Sequence, residues 1–380
     1  MWLFVSILCC VFYAALLTTY LYGWHILVVP MVRSDYVPRT RLCVIVPARN
    51  ESLSIGACLS GILSQDYPAD LLEVIVVDDH STDDTAAIAA RFAGVKVLHL
   101  SEHISLNIGA MAAYKKKAIE IAISQTECPL IVTTDADCVA GSTWLKRIVH
   151  LHESSGAQMI AAPVCFFDEK TWFDRFQSLD FAGMMVSTGA SLRLGMGAMC
   201  NGANLAYSRA AFNAVEGFRN IDHIASGDDM LLMTKIIAHY GKHRVVFLKD
   251  RLASVFTRPQ TGFMDFVHQR LRWASKSGKY QDFRITFWLA LVYFFNVSLL
   301  FNLVWGTLPN NFFYLQIGLL QLLVKSFFDF LLLVTGCRFF GRNDLMRLFV
   351  CAQVLHILYI VVIGTMGNII PYKWKGRQLR

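Results

Sequence analysis

The segment LCVIVPARNE, at residues 42–51, sets the architecture of the main domain, because a run of branched apolar residues is followed at once by polar ones. The same pattern returns in EVIVVDDHS at 73–81 and in LIVTTDAD at 130–137. Apolar runs of this length predict strands that are buried on both faces. Helical spacing of apolar residues follows the first two runs, over 53–64 and 83–93. We therefore predict an α/β domain with a parallel sheet covered by helices on both faces.

Polar clusters follow the predicted strands at their carboxyl ends, where open α/β sheets bind their ligands. Asp135 and Asp137 form a D-x-D pattern directly after the run at 130–134. Two carboxylates on such a turn can hold one hard cation, Mg²⁺ or Mn²⁺, which would also bridge phosphates. An isolated D-x-D is most often a solvated turn, and its position after a strand is what favours the metal site.

Asp78 and Asp79 end the predicted strand at 73–77. A carboxylate there can accept hydrogen bonds from a ribose hydroxyl or from the N–H of a base. The alternative is that this turn only caps the next helix, through Ser81 or Thr82. Both roles are compatible, because the cap and the ligand can use different residues.

Two further turns can face the same ligand. Asn201, Gly202 and Asn204 form a small polar turn where the backbone can approach a ligand closely. Asp228 and Asp229 open a predicted helix, where a carboxylate can act as a general base or can only stabilise the helix dipole. The sequence has no G-x-G-x-x-G pattern and no P-loop, so dinucleotide binding and ATPase chemistry lack support.

Gln269, Arg272 and Trp273 lie on one side of a helix predicted just before the second apolar segment of the chain. An amide, a guanidinium and an indole suit a diphosphate together with a sugar face. Arg and Trp at this place can also serve only as membrane anchors. His150 and His152 stand two residues apart and do not face each other on a helix, so we expect a helix surface there.

Composition places the chain in or at a membrane. Of its 380 residues, 55% are hydrophobic and only 17% are charged, whereas soluble domains carry about 25% charged residues. The net charge of +7 is mild and fits basic membrane loops and an anionic substrate better than a nucleic-acid partner. The ten cysteines are scattered without C-x-x-C spacing, which argues against a zinc site or a disulfide framework and for a reducing compartment.

Four apolar segments are long enough to cross a bilayer, which takes about 20 residues. They lie at 2–22, 285–308, 312–336 and 345–370. No basic n-region precedes the first segment, so we expect a retained anchor and not a cleaved signal peptide. The predicted division is an N-terminal transmembrane anchor at 1–30, a cytoplasmic catalytic domain at 31–284, transmembrane segments at 285–370 and a basic tail at 371–380.

Basic residues orient the membrane segments. Arg33, Arg39 and Arg41 follow the first segment, which predicts an integral membrane protein whose catalytic domain faces the cytoplasm, in a bacterial inner membrane. A third full crossing after the domain would place the basic tail outside, so we expect one apolar segment to be interfacial or re-entrant. Within the third segment, Lys325 and Asp329 either neutralise each other or line a polar path through the bundle.

The motifs occur in a fixed order along the chain. They are Pro47-Ala48-Arg49-Asn50-Glu51, Asp78-Asp79-x-Ser81, Asp135-x-Asp137, Gly227-Asp228-Asp229 and Gln269-x-x-Arg272-Trp273. This order resembles that of the membrane-bound, inverting family 2 glycosyltransferases of GT-A fold, the group of the polysaccharide and poly-N-acetylglucosamine synthases. The resemblance covers about residues 40–280. It implies a Rossmann-like nucleotide-diphospho-sugar transferase domain between an N-terminal transmembrane anchor and a C-terminal transmembrane helix bundle.

The resemblance also implies roles for single residues. The nucleotide sugar would be bound by Pro47, Ala48, Arg49, Asn50, Glu51, Asp78, Asp79 and Asp135. Mg²⁺ or Mn²⁺ would be held by Asp135 and Asp137. The catalytic base would be Asp229 with Asp228 beside it, and either could be the base, because the family often has Glu-Asp here. The acceptor and the diphosphate would lie near Asn201, Gly202, Asn204, Gln269, Arg272 and Trp273.

Three functions are compatible with this pattern. In the first, the chain moves a sugar from a nucleotide-sugar donor, expected to be a UDP-sugar, to a growing polysaccharide. In the second, it makes single additions to a lipid acceptor. In the third, it is a membrane transporter or scaffold that binds a nucleotide without sugar transfer, against which the expected base argues. The expected partners are the nucleotide sugar, a polysaccharide or lipid acceptor and membrane lipids, with no nucleic acid.

Overall fold

The computed structural model describes residues 2–104, 113–197, 199–224, 227–275, 282–367, 369–374 and 377–379. The helices are α1 Trp2–His25, α2 Ile55–Leu63, α3 Thr85–Ala89, α4 Tyr114–Ser124, α5 Trp144–Ser155, α6 Trp172–Leu194, α7 Arg209–Ala214, α8 Met230–Tyr240, α9 Phe263–Ala274, α10 Phe283–Trp305, α11 Phe312–Phe340 and α12 Phe349–Met366. The strands are β1 Leu42–Ala48, β2 Leu72–Asp78, β3 Val95–His99, β4 Leu130–Thr133, β5 Val139–Ala140, β6 Met159–Ala161, β7 Val164–Phe166, β8 Leu205–Ser208, β9 Val245–Phe247, β10 Val255–Thr257, β11 Tyr372–Trp374 and β12 Arg377–Leu379.

The main sheet has seven strands in the order β3-β2-β1-β4-β8-β6-β9. The four strands β3, β2, β1 and β4 are parallel, and Leu42 lies opposite Leu72 on one side and Leu130 on the other. This part confirms the predicted parallel sheet. Strand β8, however, runs antiparallel to both β4 and β6. The sheet as a whole is therefore mixed, because β8, which sequence reasoning did not identify as a strand, runs against the predicted parallel strands.

The direction of β8 follows from the path of the chain before it. Helix α6 has 23 residues, which is about 34 Å of helix, and the chain then enters the sheet through the turn at 201–204. Leu205, the first residue of β8, lies opposite Thr133, the last residue of β4. An apolar run does not reveal the direction of its strand. In this direction, β8 starts beside the turn that carries Asp135.

Both faces of strand β1 are buried, as its uninterrupted apolar run predicts. Residues 42–46 are 0% exposed. Cys43 and Ile45 pack into the core on one face of the sheet, and Val44 and Val46 pack into the core on the other. Fully burying an aliphatic side chain contributes about 1.5–3 kcal/mol. The strand therefore holds the turn at its carboxyl end in a fixed position.

A smaller sheet contains β5, β10 and β7. Strand β10 pairs in parallel with β7 and antiparallel with β5, and β5 follows the D-x-D turn directly. The pairing brings the end of β10 to this turn, where Thr257 Oγ1 donates to Asp137 Oδ2 at 3.1 Å. The small sheet therefore fixes the orientation of one D-x-D carboxylate.

Among the described residues, four helices are long and apolar enough to cross a membrane, namely α1, α10, α11 and the segment Asn343–Met366 that contains α12. At one end of the helix bundle, Trp2 Nε1 of α1 donates to Asn302 Oδ1 of α10 at 2.8 Å. At the other end, Lys249 Nζ of the catalytic domain donates to the carbonyl of Trp24 at 2.6 Å. Helices α1, α10 and α11 pack against one another and extend from the catalytic domain.

Helix α12 has both of its ends at the catalytic domain. Before it, Arg342 Nη1 donates to the Glu169 carboxylate at 2.8 Å. After it, Gly367 lies so close to α9 that an added Cβ would stand 2.5 Å from the Cβ of Ala274. The helix thus returns the chain to the catalytic domain, which favours the expectation that one apolar segment is not a full crossing.

Lys325 and Asp329 form a buried ion pair inside the bundle. Lys325 is 0% exposed, and its Nζ lies 2.5 Å from Asp329 Oδ2. Tyr13 donates to the other carboxylate oxygen at 2.5 Å, and Gln353 donates to Oδ2 at 3.1 Å. Lys325 Nζ also lies 3.2 Å from His356 Nδ1. These contacts confirm a mutually neutralising pair, and they join α1, α11 and α12.

Replacing Lys325 by Met should lower the free energy of unfolding by about 3–5 kcal/mol, because the Asp329 carboxylate would stay buried without its counter-charge. Adding Asp329→Asn should recover most of this loss, since the amide is neutral and still accepts from Tyr13. The measurement is thermal unfolding of the full chain in detergent, with Leu323→Met on the exposed face of the same helix as control. A double variant as unstable as the single one would contradict the ion-pair account.

Candidate active site

A cavity of about 950 Å³ opens at the carboxyl ends of β1, β2 and β4 and continues to α9, α10 and α12. The structure brings together in it motifs that are far apart in the sequence. The predicted site residues that line it are Pro47, Ala48, Arg49, Glu51, Asp79, Asp135, Asp137, Asn201, Gly202, Asp228, Asp229, Gln269, Arg272 and Trp273.

The turns after β1 and β2 form the end of the cavity predicted to hold the nucleotide. Arg49 Nη1 donates to the carbonyls of Asp79 and His80 at 2.7 and 3.1 Å and lies 3.9 Å from the Asp79 carboxylate. The N–H of Asp79 donates to the carbonyl of Ala48 at 2.8 Å. The guanidinium thus ties the two turns together. The Asp79 carboxylate stands at the cavity wall, where a ribose hydroxyl or a base N–H can donate to it.

Two residues of these turns have left-handed backbone conformations. Asn50 has a φ of 51° and His80 a φ of 53°. Asparagine tolerates this region better than most residues, whereas for a histidine it is uncommon. Conformations of this kind concentrate at functional sites, where the surrounding structure holds them.

Two nucleotide-binding candidates lie outside the described lining of the cavity. The amide oxygen of Asn50 accepts the N–H of Thr82 at 2.8 Å, so Asn50 shapes its turn. Asp78 is buried, and its Oδ2 lies 3.7 Å from His99 Nδ1. Successive side chains of a strand end point to opposite sides, which explains why Asp79 lines the cavity and Asp78 does not.

Asn204 also lies outside the described lining of the cavity, and it has a structural place of its own. Its side chain is 0% exposed and accepts from Trp144 Nε1 at 2.9 Å. Its amide nitrogen donates to the carbonyls of Pro163 and Ala253 at 2.7 and 2.9 Å. The predicted contact of Asn204 with the diphosphate or the acceptor finds no support in this geometry. Asn201, three residues earlier, does face the cavity.

The D-x-D carboxylates are placed to hold a divalent cation. Ligand atoms of Asp135, Asp137 and Cys138 lie within 4.8 Å of one another. Burial raises the pKa of the Cys138 thiol well above its usual value, with the charge of Asp137 adding to the effect. A thiol is also a softer donor than a carboxylate, and Mg²⁺ and Mn²⁺ favour it less. The two carboxylates offer the hard oxygen donors that Mg²⁺ and Mn²⁺ prefer, so the donor set fits such a cation.

Lys115 connects the D-x-D turn to Asp228 at the start of α8, and sequence reasoning missed it. Its Nζ lies 2.7 Å from Asp135 Oδ1 and 3.3 Å from Asp228 Oδ2. Burial alone would lower the pKa of Lys115, but the neighbouring Asp135 and Asp228 carboxylates outweigh it and raise the pKa above its usual value. Next to it, Lys116 Nζ donates to the carbonyl of Ile221 at 2.6 Å. The run of three lysines at 115–117 was visible in the sequence, but nothing singled out one of them.

Asp228 and Asp229 stand at the start of α8 with different partners. Asp229 is the N-cap residue of that helix, and its Oδ1 accepts the N–H of Met230 at 2.7 Å. Its Oδ2 accepts the N–H of Gly202 at 3.2 Å, which fixes the carboxylate between two backbone groups. Asp228 instead pairs with Lys115. Both carboxylates line the cavity, as predicted for the base and its neighbour.

Helix α9 presents Gln269, Arg272 and Trp273 to the cavity. Gln269 Oε1 is buried and has no hydrogen-bond partner among the described residues, so a ligand in the cavity can donate to it. Arg270 lies between these residues and was not singled out from the sequence. It is buried, pairs with Asp180 at 2.8 Å, and its guanidinium lies 4.4 Å from the centre of the Trp273 ring. This contact holds the indole in place.

Two family models match the chain. Glycosyl transferase family 2 matches residues 43–215, and Glycosyl transferase family group 2 matches residues 130–365. The chain belongs to glycosyltransferase family 2. Its fold is GT-A, an α/β fold with a mixed sheet, and the motif order had predicted both the family and the fold.

Relatives of known function are similar over part of the chain. A beta-monoglucosyldiacylglycerol synthase from Synechocystis sp. is 28% identical over 68% of this chain and 52% of its own length. The glycosyltransferase AglE from Haloferax volcanii is 28% identical over 49% of this chain and 58% of its own length. The chain thus spans about half the length of the curated relatives it matches.

One solved structure has the same fold over nearly the whole chain. It is a mannosyltransferase from Pyrobaculum calidifontis in complex with GDP-Man and Mn²⁺, with a TM-score of 0.58 and 19% identity. The match covers 97% of this chain and 99% of that chain. At this identity, the likeness shows the fold alone.

Replacing Asn204 by Ala should lower the free energy of unfolding by about 3 kcal/mol or more, because three buried partners would lose their hydrogen bonds. Asn201→Ala, on the same turn but at the cavity, should cost about 1 kcal/mol. The measurement is thermal unfolding of the two full-length variants. Equal stabilities of the two variants, with nucleotide affinity lost only in Asn204→Ala, would contradict the structural role and support a direct contact of Asn204 with the ligand.

Replacing Lys115 by Met should raise the affinity of the donor-free protein for Mn²⁺ by roughly threefold or more, since a partly exposed ion pair contributes up to about 1 kcal/mol. The reason is that Nζ competes with the cation for Asp135. Titration followed by Mn²⁺ paramagnetic resonance measures this affinity, and Lys117→Met, next to it and paired with Glu120, is the control. An unchanged or weaker affinity in Lys115→Met would contradict the competition.

Proposed function

We propose that the protein transfers a sugar from a nucleotide-sugar donor to an acceptor hydroxyl at a membrane, with inversion of the anomeric configuration and with a divalent metal. The observation that carries the proposal is that Asp135 and Asp137, on one side of Lys115, share a cavity with Asp228 and Asp229 on the other. A metal-ligand pair and a candidate base thus face the same space. Family membership supports sugar transfer as the reaction class.

Asp135 and Asp137 are the residues that would hold Mg²⁺ or Mn²⁺. When bound, such a cation neutralises negative charge on the diphosphate as the leaving group departs. Lys115 and Arg272 supply further positive charge toward the same place. Mn²⁺ was present in the Pyrobaculum calidifontis mannosyltransferase structure, which agrees with a divalent metal and leaves the choice between Mg²⁺ and Mn²⁺ to experiment.

The donor is placed by the turns after β1 and β2. We assign nucleotide contacts to Arg49, Glu51 and Asp79, with Pro47 and Ala48 as the apolar floor under the base. A UDP-sugar is the donor that the motif order implies. Asp228 forms an ion pair with Lys115. We therefore assign Asp228 to the side of the cavity that would bind the diphosphate.

Asp229 is assigned as the general base. Its two backbone hydrogen bonds fix the carboxylate at the cavity, and a fixed base within reach of the acceptor hydroxyl is the geometric requirement of the reaction. The acceptor oxygen attacks the anomeric carbon from the face opposite the diphosphate, and its proton passes to Asp229. A single displacement of this kind inverts the configuration and needs no covalent intermediate on the enzyme.

Two acceptor classes fit the reaction, a growing polysaccharide and a lipid. The relatives include a beta-monoglucosyldiacylglycerol synthase and N-acetylglucosaminyltransferases. In the third candidate, a transporter or scaffold that only binds a nucleotide, Asp229 would serve only as the N-cap of α8. We place the catalytic domain on the cytoplasmic face of a bacterial inner membrane, because Arg33, Arg39 and Arg41 follow the first apolar helix.

The test is radiolabel transfer by full-length variants in membranes, with UDP-glucose, UDP-N-acetylglucosamine and GDP-mannose as donors. Asp229→Asn should lower the transfer rate by roughly 10²–10⁴-fold, the usual contribution of a general base, while nucleotide affinity stays within twofold. Asp228→Asn should lower the rate less. Asp222→Asn, on the exposed part of the same loop, is the matched control and should keep full activity.

The pattern of losses distinguishes the possible assignments. Full activity in Asp229→Asn with a large loss in Asp228→Asn would move the base to Asp228. No transfer from any donor in the wild type, with nucleotide binding intact, would favour the binding-only candidate. Chelation of the divalent metal should abolish transfer, and activity that survives chelation would contradict the metal assignment. The product should have the anomeric configuration opposite to that of the donor, and retention would contradict a single displacement.

A further inference from the structure

The cavity changes character along its length. Asp135, Asp137, Asp228 and Asp229 lie at one end, where the sheet ends, and α10 and α12 contribute apolar side chains at the other. These side chains are Leu289, Val292, Tyr293, Ile360 and Ile363. A nucleotide sugar has no hydrocarbon chain to place against them. A ligand that fills both ends therefore has a polar head and a hydrocarbon body.

The interior of the helix bundle is closed by polar side chains that bond one another. Asn302 Nδ2 donates to Ser6 Oγ and to Gln321 Oε1 at 3.0 and 2.8 Å. Lys325 is paired with Asp329. In the part of the chain that the structure describes, these bonds join the helices across the bundle, and a saccharide passing between them would have to break them. The bundle thus favours an acceptor that stays in the membrane.

Helix α12 lies alongside α9, which carries the Gln-x-x-Arg-Trp motif. The Tyr359 and Phe266 rings contact edge to face at 5.7 Å, and Ile363 packs with Leu271. Further along, Gly367 packs on Ala274. The second half of α12, from Tyr359 onward, therefore follows α9 in the same direction, so that α12 forms part of the membrane-side wall of the candidate active site.

The opposite face of α12 is apolar and exposed. Val354, Leu358 and Val362 are 58%, 44% and 46% exposed, and their spacing of four residues places them on one stripe of the helix. A helix with both ends at the α/β domain and an apolar outer stripe presents that stripe to lipid. This course of α12 also leaves the basic tail on the side of the catalytic domain, in agreement with the distribution of basic residues.

Tyr293 of α10 closes the seam between α10 and α12. An added Cβ at Gly364 would stand 2.4 Å from the Tyr293 ring, and Tyr293 Oη lies 2.9 Å from Thr365 Oγ1. Tyr293 and Gly364 both line the cavity. Their neighbours Phe294 and Val362 are exposed on the outer surface. The contact of the tyrosine ring with Gly364 thus joins α10 to α12 at the cavity, next to side chains that are exposed on the outer surface.

We propose that the acceptor is a membrane lipid that enters the cavity sideways, through the seam between α10 and α12, when the Tyr293 ring turns away from Gly364. This inference rests on the proposed sugar transfer. An oxygen of the lipid head group attacks the anomeric carbon, and the bond from that carbon to the nucleoside diphosphate breaks, leaving the electron pair on the diphosphate. The proton of a head-group hydroxyl passes to Asp229. The hydrocarbon chains stay along α10 and α12.

The test uses the full chain in phosphatidylcholine vesicles that contain either diacylglycerol or undecaprenyl phosphate, and in native membranes of the expression host. Two quantities are measured with labelled donor: label in the organic phase, and hydrolysis of the donor by water. Gly364→Leu should lower lipid labelling at least tenfold and leave hydrolysis within twofold, because it blocks the seam and not the carboxylates. Val350→Leu, on the exposed face of the same helix, is the control.

A second variant distinguishes a blocked seam from a folding defect. Tyr293→Ala combined with Gly364→Leu restores room in the seam and should regain lipid labelling. The two vesicle types distinguish a hydroxyl from a phosphate head group, and labelling of either lipid supports the proposal. Unchanged lipid labelling in Gly364→Leu would overturn the proposal. Label found only in a water-soluble polymer would also overturn it, and so would hydrolysis of the donor without lipid labelling in all three membranes. Absence of both hydrolysis and transfer would instead overturn the proposed function.

Discussion

The carboxylates of Asp135, Asp137, Asp228 and Asp229 line the same cavity, and their mutual repulsion has to be balanced for the domain to hold them there. Asp135 and Asp137 follow β4, and Asp228 and Asp229 stand at the start of α8. Like charges that share a cavity repel one another. The ammonium of Lys115 lies between the two groups and contacts one carboxylate of each. The sheet edge, the first turn of α4 and the N-terminus of α8 must therefore meet at one point for the site to exist.

This dependence explains which parts of the site the sequence predicts. The run at 42–51 predicts both a buried strand and the turn that follows it, because local hydrophobicity and chain direction are enough. Lys115 was missed, since its role depends on two carboxylates that are distant in the sequence. Asn204 was misplaced for the same kind of reason: a polar residue in a turn can face a ligand or satisfy buried groups, and only the positions of Trp144 and Pro163 distinguish the two.

The direction of β8 shows the same limit at the level of the fold. The apolar runs predicted the parallel strands β1, β2 and β4, but sequence reasoning did not identify β8, which has four residues and pairs antiparallel with β4. The membrane segments behave similarly. Hydropathy correctly finds four apolar helices among the described residues. Only the contacts of Arg342 and Gly367, however, show that both ends of α12 lie beside the α/β domain. The positive charge of the tail had already pointed to this conflict.

A polar reaction centre and an apolar wall share one cavity, and a structure with bound ligands tests this arrangement most directly. The measurement is a structure of the full chain in lipid nanodiscs with a non-hydrolysable UDP-sugar analogue and Mn²⁺. The account predicts the metal between Asp135 and Asp137, the anomeric carbon turned toward Asp229, and lipid density along α10 and α12. A nucleotide bound away from the β1 and β2 turns, or a saccharide chain inside the helix bundle, would contradict it.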